Sequence, residues 1–287
     1  MAIYYPEILD LIKEEVPFSW SERDVMLYAL AIGMGEDPID AEELAFVNDS
    51  FLEPKPLKVV PSFASICVFG AWPGEYGTDP AMMVDGERDI WFHKPLPPAA
   101  NVLATSRVIG AIDKGAGKGA VIQAEHLVKD AATGDQLVTI RQSTFARGDG
   151  GFGGPSTGQP LPHAVPTRTP DKSLDLVTRP NQALLYRLTG DRRALHSDPA
   201  FARKAGFDRP ILHGMCTYGL TCRAVLQTYA DYDPSAFRRH SVRFSAPVYP
   251  GDTLTVDLWR DNAIISLEAR VKERNSTVVK NGLIELA

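Results

Sequence analysis

Asp191 and His196 stand five positions apart in the stretch GDRRALH (190–196), with Arg192 and Arg193 between them. A carboxylate and an imidazole on one short segment are the pair that proton transfer uses. The imidazole titrates near neutral pH, and the acid can orient it or share its work. Two guanidiniums in the same stretch would make the electrostatics of such a site unusual. Read from these residues alone, two alternatives stay open. Either the stretch is a proton-transfer site, or it is a solvated loop in which Asp191 caps a turn and His196 is a satisfied imidazole.

Other chemistries find less support. No His-x-x-x-His or paired-cysteine spacing offers a zinc site, so no metal is expected. There is no G-x-S-x-G nucleophile elbow, and DKGAGKGA (113–120) lacks the spacing of a phosphate-binding loop and reads as a hairpin turn. Asp198 and Asp208, each closely followed by proline, read as turn formers. His213 precedes Gly214 at an apparent helix start and reads as a structural hydrogen-bonder. His93, His126, His163 and His240 lie in strand-like or connector sequence and are expected to be structural.

The elements that must position the pair can be read from periodicity and punctuation. The segment 186–214 is broken by glycine and by Asp-x-Pro groups into a long irregular stretch, the kind of ordered loop on which function tends to sit. It leads into HGMCTYGLTCRAVLQTYADY, apolar on several sides and expected to be a buried helix. In the first half, SERDVMLYALAIGMG opens with a capping-box-like S-x-x-D and places Val25, Met26, Ala29 and Ile32 on one face. Alternation marks strands at Val102, Ala104, Ser106 and Val108, at Leu254, Val256 and Leu258, and at Leu267, Ala269 and Val271. FHKPLPPAANV from Phe92 and FSAPVYPGDTL from Phe244 share F-x-x-P-x-x-P at an offset of 152 residues, which predicts two copies of one antiparallel unit. One helix and several alternating strands per copy predict an α+β fold, a sheet wrapped around a helix.

Residues 147–172 crowd glycines first and prolines after, and read as a connector. The expected organisation is a first unit over 1–150, a linker over 151–172 and a second unit over 173–287. At 287 residues, two units of ordinary size fit, and 44% hydrophobic residues can build their cores. A net charge of −6 with scattered basic residues gives no footprint for nucleic acid. No run approaches the roughly 20 apolar residues of a membrane span. The acidic N-terminal residues do not read as a signal or transit sequence, and GLIELA at the C-terminus does not read as a peroxisomal address. Three cysteines without metal-type spacing point to a reducing compartment. The expectation is a cytoplasmic protein with no nucleic-acid or membrane partner.

Over its length, YRLTGDRRALHSDPAFARKAGFDRPILHGMCTYG (186–219) resembles the signature of the MaoC-like, hydratase 2 family of enoyl-CoA hydratases. FSAPVYPGDTL in the second half and VDGER, FHKPLPP, DKGAGKG and RGDGGFGG in the first extend the likeness to nearly the whole chain. The resemblance implies a tandem, or double, hot dog fold with two antiparallel sheets, each around a central helix. It implies an acyl-CoA held between the halves, chemistry in the second half, and a first half that shapes the acyl pocket. The activity implied is reversible hydration of a trans-2-enoyl-CoA to the (3R)-3-hydroxyacyl-CoA without metal or organic cofactor, by a homodimer. Asp191 and His196 become the acid–base pair, with His196 expected to activate the water and Asp191 to handle the Cα proton. The Gly214 N–H at the helix start becomes the donor to the enolate oxygen. Gly86, Lys114 and Phe244 fall where the family contacts its substrate, and so does Asp85, which stands in place of an expected histidine.

The family motif has asparagine where this chain has Arg193 and proline where it has Ala194. An amide both donates and accepts, whereas a guanidinium only donates and is always charged. Arg193 near Asp191 is expected to depress its pKa and oppose its use as an acid, unless it turns aside or meets a polar acyl group. An active hydratase or dehydratase is therefore expected. The alternatives are a non-catalytic acyl-CoA-binding relative or inactive partner subunit, and a dehydratase of carrier-protein-bound acyl chains.

Overall fold

Where β-branched and small residues alternate with polar ones, the chain extends and pairs. The computed structural model describes residues 3–53, 55–79 and 82–287. It carries strands β1 (Ile12–Trp20), β2 (Met83–Phe92), β3 (Ala100–Asp113), β4 (Ala120–Asp130), β5 (Gln136–Ala146), β6 (Lys172–Val177), β7 (Phe237–Phe244), β8 (Thr253–Asp261), β9 (Ile264–Val271) and β10 (Ser276–Leu286). The helices are α1 (Glu22–Ala31), α2 (Ala41–Leu44), α3 (Gln182–Tyr186), α4 (Pro199–Lys204) and α5 (Gly214–Tyr229). This is the α+β composition that the alternation and the two long helical patterns predict.

Strands pair in the order β1-β3-β4-β5-β2-β7-β10-β9-β8-β6. That order is a palindrome about the β2–β7 contact, so β1, β3, β4, β5 and β2 correspond to β6, β8, β9, β10 and β7. The sequence repeat has a direct counterpart here, because Phe92 and Phe244 are the last residues of β2 and β7. The expectation of two separate sheets is corrected: β2 and β7 pair antiparallel, with Glu87 opposite Arg243 and Ile90 opposite His240, and both copies share one ten-stranded sheet. Each of these strands would otherwise be an edge with unpaired N–H and C=O groups. Joining them satisfies the backbone, and ion pairs Arg239–Asp89 and Arg243–Glu87 cross the seam.

α1 starts as the sequence predicts, with the Asp24 carboxylate accepting from the N–H and hydroxyl of Ser21. It ends at Ala31 rather than running on, because Gly33 and Gly35 adopt left-handed φ values of +89° and +70°. Val25, Ala29 and Ile32 are buried and Met26 is half-buried. α5 is buried along most of its length and packs on β6, β7 and β9. The chain from 147 to 171 forms neither helix nor strand, yet it is pinned to the second half of the sheet. Trp259 donates to the Arg168 carbonyl at 2.7 Å, and Asn281 to the His163 carbonyl at 2.8 Å.

α1 and α5 meet at Gly219. A Cβ there would lie 2.5 Å from Ile32 Cγ2 and 2.9 Å from the Tyr28 hydroxyl. The β-branched Ile32 has little freedom to yield, and Tyr28 is held by a 2.9 Å hydrogen bond to Ser62. Gly219→Ala is expected to destabilise the fold by about 1–3 kcal/mol through overpacking, read as a lower denaturant midpoint at unchanged m-value.

Candidate active site

The loop that carries Asp191 and His196 is built from local turns. Gly190 has φ +140°, a conformation that side chains rarely adopt, and it swings the chain into Asp191. Asp198 caps α4 by accepting from the N–H groups of Ala200 and Phe201, at 2.7 and 3.3 Å. Two histidine hydrogen bonds then tie the loop to the start of α5. His196 Nδ1 donates to the Ile211 carbonyl at 2.9 Å, and His213 Nε2 donates to the Asp191 carbonyl at 3.0 Å. The two imidazoles stack with centroids 3.7 Å apart, and the Tyr186 ring lies 4.8 Å from His213. His213 is thus the structural hydrogen-bonder the sequence predicts. The histidines expected to be structural each meet a hydroxyl: Thr139 for His93, Ser106 for His126, Ser266 for His163 and Thr221 for His240.

Because a carbonyl can only accept, Nδ1 of His196 carries its proton and Nε2 is a bare lone pair. That Nε2 has no hydrogen-bond partner among the described residues and lies 3.9 Å from Asp191 Oδ2. The two side chains therefore face one another. Arg193 does not turn aside. Its Nε reaches both Asp191 oxygens at 3.0 Å, its Nη2 lies 2.6 Å from Oδ2, and its backbone N–H adds a bond of 3.1 Å.

The electrostatics follow from burial and this fork. Burial works to raise the Asp191 carboxyl, but the Arg193 hydrogen bonds and charge, with the two histidines, pull it down to about 2. Burial lowers His196 below its ordinary range, against the pull of Asp191 and the Ile211 carbonyl. Burial and the neighbouring His196 push His213 down to about 3. At neutral pH the site holds an ionised carboxylate, a fixed guanidinium and two neutral imidazoles.

Donor atoms of Asp191, His196 and His213 lie within 4.8 Å of one another, the spacing of a metal site. The trio does not fit a divalent cation. Arg193 fills the carboxylate and brings a positive charge beside it, and one nitrogen of each ring is spent on a carbonyl. Two stacked ring nitrogens remain, short of the three or four ligands such an ion needs.

A cavity of about 380 Å³ opens at the start of α5. His196, Arg193, Gly214, Gly86, Asp85 and Phe244 line it. The amide at this first turn has no acceptor within its own helix. Gly86 admits close approach, since a Cβ there would lie 2.7 Å from Ser143 Oγ, and one on Gly214 would lie 3.0 Å from Asp85 Oδ2. Asp191 itself does not line this cavity; Arg193 stands between. Asp191 lines a smaller cavity of about 40 Å³ behind, which Asp85 and Arg193 also border. Lys114 is likewise off the wall: its ammonium donates at 2.7 Å to Gln159, which does line the cavity. Lys114 sits in the β3–β4 turn, where Asp113 accepts from Gly115, Gly151 and Gly153 and gathers two glycine loops.

The palindromic sheet would place a second site beside Phe92. At the same offset of 152 residues, Pro61 replaces His213, Ser62 replaces Gly214 and Phe237 replaces Asp85. Phe92, Pro61 and Phe237 border a space of only about 10 Å³ there. Among the described residues, bulky and cyclic side chains close this one of the two symmetric positions.

Comparison with known proteins places this geometry in context. Residues 163–282 match the family described as the MaoC like domain, and residues 18–148 match the MFE-2 hydratase 2 N-terminal domain. The chain is 38% identical to the peroxisomal enoyl-CoA hydratase 2 of Arabidopsis thaliana, over 92% of this chain and 90% of that one. It is 39% identical to the enoyl-CoA hydratase ChsH3 of Mycobacterium tuberculosis, over 93% of each. The crystal structure of a MaoC-like dehydratase from Phytophthora capsici superposes with a TM-score of 0.84 at 28% identity, covering 99% of both chains. A Mycobacterium tuberculosis protein described as having a double hotdog fold superposes at 0.59 with 13% identity, over 96% of this chain and 94% of that one, a likeness of fold.

Arg88 and Tyr186 were not singled out by sequence reasoning, although Arg88 lies in the VDGER stretch. Strand alternation puts residues three apart on opposite faces. A register shift between Asp85 and Glu87 inserts Gly86 as a bulge, which brings Asp85 and Arg88 to one side. For the pair itself, Arg193→Asn is expected to raise the pKa of both Asp191 and His196, since the fork is lost and a repelling charge leaves the imidazolium. Proton resonances of the His196 ring followed through pH should titrate higher in the variant; an unchanged or lower value would detach Arg193 from the electrostatics.

Proposed function

The chain belongs to the MaoC-like, hydratase 2 family of enoyl-CoA hydratases, and from that premise we propose that it is an (R)-specific 2-enoyl-CoA hydratase, a hydro-lyase that also runs as a (3R)-3-hydroxyacyl-CoA dehydratase. One observation carries the reading. A neutral imidazole with a bare Nε2 stands on the wall of a cavity that begins at a helix N-terminus, and faces an ionised carboxylate behind that wall.

In the hydration direction a water between the two side chains gives a proton to His196 Nε2 as its oxygen bonds to Cβ. The thioester oxygen takes up the negative charge, and the Gly214 N–H and the positive end of α5 stabilise it. The imidazolium so formed is stabilised by Asp191 and returns its proton to Cα. Because Arg193 holds the Asp191 carboxyl near 2, we assign the Cα proton to His196 rather than to Asp191, which orients the water and the imidazole. Gly86, Phe244 and Asp85 lie along the acyl-CoA, while Lys114 acts through Gln159 at the rim. Residues 1–150 shape the acyl pocket, 151–172 connect, and 173–287 carry the chemistry. A homodimer and a reducing, cytoplasmic setting accord with this reading; three buried free cysteines support the latter. Among the described residues no helix is long and apolar enough to cross a membrane.

The filled Asp191 carboxylate favours a second reading, a non-catalytic acyl-CoA-binding relative. Loss of the conjugated-thioester absorbance of crotonyl-CoA separates the two, because a binding protein would take up CoA esters without turnover. Asp191→Asn and His196→Gln are each expected to lower kcat by about 10²–10⁴-fold with the fold intact. A variant with near-normal kcat would remove that residue from the mechanism. Arg193→Asn is expected to raise turnover of crotonyl-CoA, and a lower rate would mean that the guanidinium is adapted to its substrate.

A further inference from the structure

Behind Arg193 lies the smaller cavity of about 40 Å³, which shares Asp85 and Arg193 with the larger one. Beyond Asp85, Asp191 and Arg193, its polar wall is formed by Arg88, Gln142, Tyr186, Ser65 and His126. Arg88 is 7% exposed. Its Nη1 donates to Gln142 Oε1 at 2.6 Å, its Nη2 lies 3.8 Å from Asp85 Oδ1, and its Nε has no partner among the described residues. The buried hydroxyls of Tyr186 and Ser65 have none either. Asp85 is itself divided, lying 4.0 Å from Arg193, which is already spent on Asp191. The remaining titratable group on that wall, His126, is bonded to the Ser106 hydroxyl at 2.7 Å and held neutral, pushed down to about 4 by burial and by Arg88.

A buried guanidinium with one neutral acceptor, one carboxylate at 3.8 Å and an unpaired Nε is short of acceptors. A hydrocarbon tail in this space would leave it so, along with two unpaired hydroxyls. Resting on the enoyl-thioester reading above, we propose that the preferred substrate is a short 2-enoyl thioester whose C3 substituent ends in a carboxylate, received by Nε and Nη2 of Arg88. The side-on guanidinium fork matches two carboxylate oxygens, and the hydroxyls of Tyr186 and Ser65 supply further donors. Since a single water needs roughly 10–15 Å³ of such space, the cavity holds a methylene and a carboxylate rather than a long chain.

Binding of saturated thioesters by titration calorimetry tests this without requiring turnover. Glutaryl-CoA is expected to bind about tenfold or more tightly than the isosteric, uncharged 5-methylhexanoyl-CoA. Arg88→Met should bring that ratio to one or below. Tyr186→Phe, which keeps the ring, should lower it by a smaller factor and serves if the Arg88 variant does not fold. Equal or tighter binding of 5-methylhexanoyl- or octanoyl-CoA by the unaltered protein overturns the proposal. Hydration of crotonyl-CoA without a carboxylate preference sinks this inference and leaves the function standing; a carboxylate preference without turnover of crotonyl- or 4-carboxybut-2-enoyl-CoA does the reverse.

Discussion

The buried fork between Arg193 and Asp191 sets the chemistry of everything around it. Two N–H groups of one guanidinium meet both oxygens of a carboxylate that is 6% exposed. Taking a carboxylate out of water would by itself favour its protonated form. The fork reverses that outcome, so the acid stays ionised across the pH range in which proteins remain folded. Its neighbour His196 then has a fixed negative charge at 3.9 Å, which stabilises an imidazolium without supplying a proton. A site that in an asparagine-bearing arrangement would be tuned by a neutral amide is here tuned by an ion pair.

That ion pair extends into a chain. Asp191, Arg193, Asp85 and Arg88 alternate in sign, with separations of 2.6, 4.0 and 3.8 Å. Only the first contact is tight. The looser links leave Asp85 and Arg88 available to an incoming polar group, and the low dielectric of the interior makes each such contact matter more than it would in water. The chain also crosses the seam of the molecule, because Asp85 and Arg88 come from β2 while Asp191 and Arg193 come from the loop before α5. The surroundings of the Asp191–His196 pair and the pocket wall therefore depend on the two copies of the fold being joined as one sheet.

The join is asymmetric in its result. The strand order is symmetric about β2 and β7, yet only the position beside Phe244 is open. Proline and phenylalanine close its counterpart beside Phe92. A glycine at 214 admits both the Asp85 side chain and a ligand against the helix start, whereas serine occupies the matching position 62. Duplication supplied the scaffold, and a few side-chain volumes decided which copy holds a cavity.

Much of this was legible in the sequence. Period-two alternation marked β3, β8 and β9, because faces of a sheet alternate with every residue. S-x-x-D fixed the start of α1, because its acid can reach back only three positions. The F-x-x-P-x-x-P repeat marked the connections that lead into β3 and β8, and the spacing of Asp191 and His196 marked the pair, since both sit in one short loop. What pairing of edges, bulges and long-range contacts decide was not legible. The sequence carries no sign that β2 and β7 close into one sheet, that a bulge at Gly86 turns Arg88 beside Asp85, or that Arg193 folds onto Asp191 rather than away from it. Local chemistry depends on residue order, and residue order is written in the chain. The direction in which a charged side chain finally points depends on which distant groups share its low-dielectric surroundings, and only the tertiary structure brings those groups together.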